Sequence, residues 1–175
     1  MKRKAVIAVV LWICFLLQTA VFPMIDILSA VPNILLILTV SIGFMQGSAE
    51  GIVTGFFAGL LIDLFYGDIF GFYALLYLIV GYACGTQSQI YFDEDVKIPL
   101  LLVTGGDLFI NIVIYITRFL LRGRTGFSRY LTAVILPELV CTIIFTVLLY
   151  KLFYRINHAL LEKEKKGRHS LWIRD

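Results

Sequence analysis

Two aspartates stand inside apolar runs. Asp63 closes the stretch Gly55-Phe56-Phe57-Ala58-Gly59-Leu60-Leu61-Ile62-Asp63, and Asp107 ends Thr104-Gly105-Gly106-Asp107. Two carboxyl groups sharing one proton across a water-filled cleft are the chemistry of an aspartyl protease. Here the context is wrong for it. Thr104-Gly105-Gly106-Asp107 lacks the first glycine of the Gly-x-Gly-Asp signature of intramembrane aspartyl proteases, and the two residues fall at different depths. There is no Walker loop and no HExxH, and His158 and His169 lie in or beside a basic tail with no usable nucleophile. Cys14, Cys84 and Cys141 fall in or at the edge of apolar segments without CxxC spacing, which makes them packing or lipid-facing residues. The residues name no catalytic group, cofactor or metal site and no nucleic-acid partner, so the chain reads as a non-enzyme.

The ionisable residues in apolar segments are then candidates for a buried network, because charge at membrane depth is costly. Offsets of three, four and eleven residues place Thr104, Asp107, Asn111 and Arg118 on one side of a helix. Glu138, after Pro137, is expected about two turns inside the outer end of the last helix. The expected network is Asp107, Asn111, Arg118 and Glu138, with Arg118 pairing with Asp63, Glu138 or both. Its expected role is structural, holding helices together. Pro137 is expected to kink its helix and free a carbonyl.

The elements that position these groups are membrane helices. Of 175 residues, 60% are hydrophobic and 14% aromatic, and the mean hydropathy is +0.92. A soluble domain of this size cannot hide so much apolar surface. A crossing takes about 20 apolar residues. The hydropathy parses into six segments, near Ala5 to Phe22, Val31 to Met45, Ser48 to Tyr66, Phe70 to Gly85, Lys97 to Leu121 and Tyr130 to Tyr154, of which the second and fourth are short. The expectation is an all-α, polytopic six-helix transmembrane bundle over residues 1–154, with a basic cytoplasmic tail over 155–175. Lys2, Arg3 and Lys4 before the first apolar run mimic a secretory signal. Gln18, Thr19 and Ala20 make a poor cleavage site, so the segment reads as a retained helix.

Eleven of the fifteen basic residues fall at the N-terminus, in the Gln87 to Lys97 loop or from Lys151 onward, which places both termini in the cytoplasm. Arg118, Arg122, Arg124 and Arg129 lie at or in the last outer loop and break the pattern. Contact with outer-leaflet phosphates is the simpler account of them, and a docking patch for an acidic partner the sharper one. The tail closes on Leu171-Trp172-Ile173 and reads either as a disordered positive-inside anchor or as a segment lying on anionic lipid.

Gly47, Gly51, Gly55, Gly59, Asp63 and Gly67 recur every four residues. On a helix of 3.6 residues per turn such a stripe drifts by roughly 40° per step, so it holds a partner only by crossing obliquely. Gly51, Gly55, Gly59 and Asp63 are thus expected to pack against a close helix, with Asp63 turned toward protein. Packing within the chain is the primary reading and docking of a partner's membrane helix the second. Gly47 and Gly67, near the ends, read as turn residues.

These residues also carry a resemblance. Val31-Pro32-Asn33-Ile34-Leu35-Leu36-Ile37-Leu38 is similar to the Pro-Asn-x-Leu-Leu segment of the bacterial rod shape-determining protein MreD family. The run from Gly51 to Gly85, with Asp63, Gly67, Gly71 and Tyr82, resembles that family's glycine-rich third helix, its aspartate and the helix after it. The resemblance implies a scaffold in the bacterial cytoplasmic membrane, part of the elongasome, without catalytic activity or cofactor. The implied partners are MreC, MreB, RodA and a class B penicillin-binding transpeptidase, with Pro32 and Asn33 joining the glycine face as candidate packing or docking residues. It extends to the six-helix architecture of the substrate-binding subunits of energy-coupling-factor transporters, which offers an alternative function as a small-molecule carrier. Ala5, Ala8 and Ala20 do not make the Ala-x-x-x-Ala docking surface of those subunits.

Overall fold

The computed structural model describes residues 2–24, 30–67, 69–90, 97–118 and 127–172, with side chains for these except 2, 89–90 and 158–172. Six helical elements form, and the described residues contain no strand. Helix α1 is Lys2–Leu16, extended by a π turn at Leu17–Val21 and a 3-10 turn at Phe22–Met24, where Pro23 cannot supply a backbone donor. Next come α2, Ile34–Gln46; α3, Ser48–Tyr66; α4, Phe72–Thr86; and α5, Lys97–Arg118. Helix α6 begins at Phe127–Tyr130, widens through a π turn at Leu131–Ile135 and continues as Leu136–Trp172. That π turn ends two residues before Pro137, whose missing N–H interrupts the regular ladder.

Four stretches are long and apolar enough to cross a membrane: Arg3–Met24, Ser48–Tyr66, Lys97–Arg118 and Phe127–Asn157. The second and fourth of the six expected segments are α2 and α4, of 13 and 15 residues, short as expected and below the about 20 residues of a full bilayer crossing. The reason is clearest for α2. Every residue from Ile34 to Phe44 is buried, and the helix touches α1, α3, α4, α5 and α6. A helix apolar on all sides is one enclosed by protein, so its length answers to the bundle around it. The outside is apolar too, with Leu101 74% and Leu148 68% exposed, as suits lipid contact.

The most extensive helix contact is between α3 and α4. A Cβ at Gly55 would stand 2.8 Å from the carbonyl carbon of Tyr77, and one at Gly59 would stand 2.5 Å from the Cα of Ala74. The approach is reciprocal, because a Cβ at Gly81 would stand 2.7 Å from the carbonyl carbon of Gly51. The ladder therefore packs within the chain, and α4 answers it with Gly81 and Gly85. Gly47 turns the chain between α2 and α3 at φ +97°, a conformation that side chains disfavour.

At one end of the bundle Arg3 donates to Gln46 Oε1, and Gln46 Nε2 donates to Asn157 Oδ1 at 2.6 Å. The start of α1, the end of α2 and residue 157 of α6 thus share one end. Cys14 and Cys84 are buried and Cys141 is half-buried, all as free thiols. Arg122 and Arg124 lie outside the described residues, as do the tail side chains from His158 through Trp172, although the helical backbone of α6 continues to Trp172.

Candidate functional site: a polar seam inside the bundle

Asn33 sits where α2 begins, next to the middle of α5. A helix start in the interior must satisfy its free N–H groups without water. Three side chains do so. Asn33 Oδ1 accepts from Leu36 N at 3.3 Å, Gln18 Oε1 accepts from Leu35 N at 3.0 Å, and Thr142 Oγ1 accepts from Asn33 N at 3.1 Å. Gln18 reaches this place from the π turn of α1. Asn33 then turns outward to two further helices. Its Oδ1 also accepts from Tyr77 Oη at 2.6 Å, and its Nδ2 donates to Asp107 Oδ1 at 3.3 Å. One asparagine joins α2 to α4, α5 and α6.

Asp107 is fully buried, and its Oδ2 has no hydrogen-bond partner. Asn111 Nδ2 donates to the Asp107 carbonyl at 3.1 Å. Glu138, half-buried on α6, lies near the Asn111 side chain and within electrostatic reach of Asp107. Of the anticipated Asp107, Asn111, Arg118 and Glu138 network, Asp107 and Asn111 lie one turn apart beside Asn33, Glu138 is in electrostatic reach of Asp107, and Arg118 lies over the Tyr73 ring. Thr104 does not join this network, because its hydroxyl donates to the Leu100 carbonyl of its own helix at 2.8 Å. Thr39, Ser41 and Thr146 likewise bond the carbonyl four residues back.

Asp63 has a separate role. Its side chain is buried and accepts three backbone amides at the start of α4, from Gly71 at 3.1 Å, Tyr73 at 3.0 Å and Ala74 at 2.8 Å. Gly71, the residue before α4, has no side chain to cap it, so the carboxylate at the end of α3 does the capping. The negative charge also meets the positive end of the α4 dipole. The anticipated Asp63 to Arg118 ion pair gives way to this arrangement. The Arg118 guanidinium lies over the Tyr73 ring at 5.7 Å from its centroid, a cation–π distance.

Tyr77, Thr142, Gln18 and Gln46 were not singled out by sequence. Tyr77 had a visible signal, since Tyr73, Tyr77, Gly81 and Gly85 form a second row of four-residue spacing. Gln18 and Thr142 had none, because each acts on a partner far along the chain.

The described residues bring together no group of three or more His, Cys, Asp or Glu side chains able to hold a metal ion. A cavity of about 350 Å³ lies between α1 and α3, lined by Leu11, Trp12, Phe57 and Leu61 with Lys4 and Glu50, and it contains none of Asp107, Arg118 and Glu138.

Apolar helices of spanning length with polar groups turned inward define an integral membrane protein built from helices. Comparison with known families gives the particular kind: the chain belongs to the rod shape-determining protein MreD family, whose model matches residues 2–158 of the 175. No curated protein and no solved structure matches it. The likeness to substrate-binding subunits of energy-coupling-factor transporters, and the carrier function attached to it, find no support in these comparisons.

Proposed function

We propose that this rod-shape protein is a non-enzymatic scaffold of the elongasome, holding wall-synthesis partners together in the bacterial cytoplasmic membrane during side-wall growth. The observation that carries the reading is the family match over residues 2–158. The internal geometry agrees with it, because Asn33 bonds Tyr77, Asp107 and Thr142 across helices and the glycine ladder is covered by α4. Partner contact therefore falls on the outward apolar faces. By family resemblance the partners are MreC, MreB, RodA and a class B penicillin-binding transpeptidase.

The proposed topology is a six-element, multi-pass domain with both termini cytoplasmic and a basic tail over 155–175. The meeting of Arg3, Gln46 and Asn157 at one end of the bundle supports placing both termini on one side. An even number of crossings then follows, and the basic residues at both ends favour the cytoplasm.

Mild crosslinking in the native host, purification of the tagged chain and mass spectrometry of what accompanies it test this. Recovery of MreC, RodA or the transpeptidase is expected. Recovery of a transporter ATPase and its transducer without wall-synthesis proteins overturns the reading.

A further inference from the structure

Helix α3 presents its glycine row to α4, and another of its sides leaves a gap against α1, the cavity of about 350 Å³. The walls follow one pattern on both helices. On α1 the lining positions run from Lys4 through Ala8 to Trp12, and on α3 from Glu50 through Thr54 to Leu61, each a stripe stepping by three and four. Leu11 and Thr54 are buried at its back, while Trp12, Val53 and Phe57 are exposed, so the cavity opens toward lipid.

Both stripes begin with a charged residue. The two helices start at the same end of the bundle, where Arg3 of α1 donates to Gln46, two residues before α3. Lys4 and Glu50 therefore stand at the mouth, and the apolar positions run inward from them. Along the helix axes Trp12 lies about 12 Å below Lys4 and Leu61 about 16 Å below Glu50. One leaflet holds about 15 Å of hydrocarbon, half the bilayer core. The cavity thus has the depth of one leaflet's acyl chain, with charged groups at the level of the headgroup. A membrane helix fits it poorly. A helix is about 10–12 Å across, so 12 Å of one fills on the order of 1,000 Å³.

The mouth selects the headgroup. Lys4 is exposed and Glu50 half-buried, and among the described residues neither makes an ion pair. A lipid carrying only a phosphate charge would satisfy Lys4 and set like charge against Glu50. A zwitterion gives each side chain its counter-ion.

We propose that the cavity between α1 and α3 is a binding site for phosphatidylethanolamine, with an acyl chain along Leu11 and Phe57, the phosphate at Lys4 and the ammonium at Glu50. The chain fills a space that protein packing leaves open, and the headgroup ties the start of α1 to the start of α3.

The test places the full-length protein in nanodiscs of phosphatidylglycerol with a trace of phosphatidylethanolamine or phosphatidylglycerol that carries a diazirine in mid-chain. After illumination the ethanolamine probe is expected to label peptides of α1 and α3 well above the exposed Leu148 face of α6, and the glycerol probe to label these faces alike. Ala8→Trp, at an exposed position, fills the cavity and should remove the excess. Lys4→Gln and Glu50→Gln should each lower it about fivefold, the worth of one charge contact at a headgroup. Even labelling of all apolar faces by the ethanolamine probe overturns the proposal, as does an excess that Ala8→Trp or the two charge variants leave unchanged. An equal excess for both headgroups also overturns it, because any acyl chain would then serve. Photoleucine in place of Leu61 keeps the shape of the side chain and needs no disruptive variant. Illuminated in the host membrane, it is expected to take on the mass of the phospholipid; a polypeptide adduct instead would give the groove to a partner's membrane helix and overturn the proposal.

Discussion

Asp63 Oδ2 accepts the backbone N–H of Ala74 at 2.8 Å, so the last full turn of α3 supplies the cap of α4. The two helices are locked at this point by a charge-assisted bond and along their length by glycine contact. Both devices arise from one row of residues spaced by four, in which the aspartate takes the place of a fourth glycine.

Replacing Asp63 should therefore damage the α3 to α4 junction first. Asp63→Asn leaves one acceptor oxygen for three amides and is expected to cost about 1–3 kcal/mol, the penalty of a buried donor left without a partner. Asp63→Leu should cost more. Arg118→Leu, which loses the cation–π approach to Tyr73 of about 0.5–2 kcal/mol, should cost less than Asp63→Leu. Unfolding in detergent followed by circular dichroism checks the order; an Arg118→Leu loss equal to that of Asp63→Leu would restore the ion pair between them.

The glycine contacts predict a contrast between two similar changes. Gly55→Ala forces α3 from the Tyr77 backbone and is expected to cost about 1–3 kcal/mol, as overpacking does. Gly105→Ala meets nothing within 4 Å and is expected to be neutral or to gain about 1 kcal/mol from helix propensity. Thermal unfolding of the two variants side by side distinguishes packing from a general intolerance of change.

How much of this was legible in the sequence divides by range. Helix α3 begins and ends where hydropathy places it, Ser48–Tyr66, and the burial of Asp63 follows from its position in the glycine row. The Asp107 and Asn111 pair was visible because both lie on one helix one turn apart. Asn33 was visible as part of a motif, but its work as a hub was not. Its partners Tyr77, Asp107 and Thr142 lie 44, 74 and 109 residues away, and no periodicity encodes which helices meet. The pairing of Arg118 with Asp63 gave way for a related reason. Charge complementarity suggested a carboxylate, while the backbone amides at the start of α4, invisible in a list of side chains, claimed Asp63 instead.

Asn33 should behave as a shared component of several contacts. Asn33→Ala removes the bonds to Tyr77 and Asp107 together and is expected to cost on the order of 2–4 kcal/mol. Tyr77→Phe should cost about 1 kcal/mol, the net worth of one hydrogen bond. Added to Asn33→Ala it should cost less than it does alone, with a coupling of about 0.5–3 kcal/mol in the double-mutant cycle. Strict additivity in that cycle would show that the two side chains do not depend on each other.

At the opposite end, Gln46 joins α1 to α6. Gln46→Ala is expected to loosen the N-terminal turn of α1 and leave the Asn33 cluster intact. Hydrogen exchange measured by mass spectrometry should show faster exchange near residues 3–6 with no change in the first turn of α2. Equal acceleration at both ends would mean that α2 unfolds as a unit and that the two clusters are not separable.

The most direct measurement is cell shape on depletion of this chain in its own host, with the wild-type chain or Gly55→Ala supplied in return. The scaffold account predicts that depleted cells lose rod form and widen, that the wild-type chain restores the rod, and that Gly55→Ala restores it less well in proportion to the folded protein remaining in the membrane. Rods of unchanged width with an unchanged rate of side-wall peptidoglycan insertion after full depletion would contradict it.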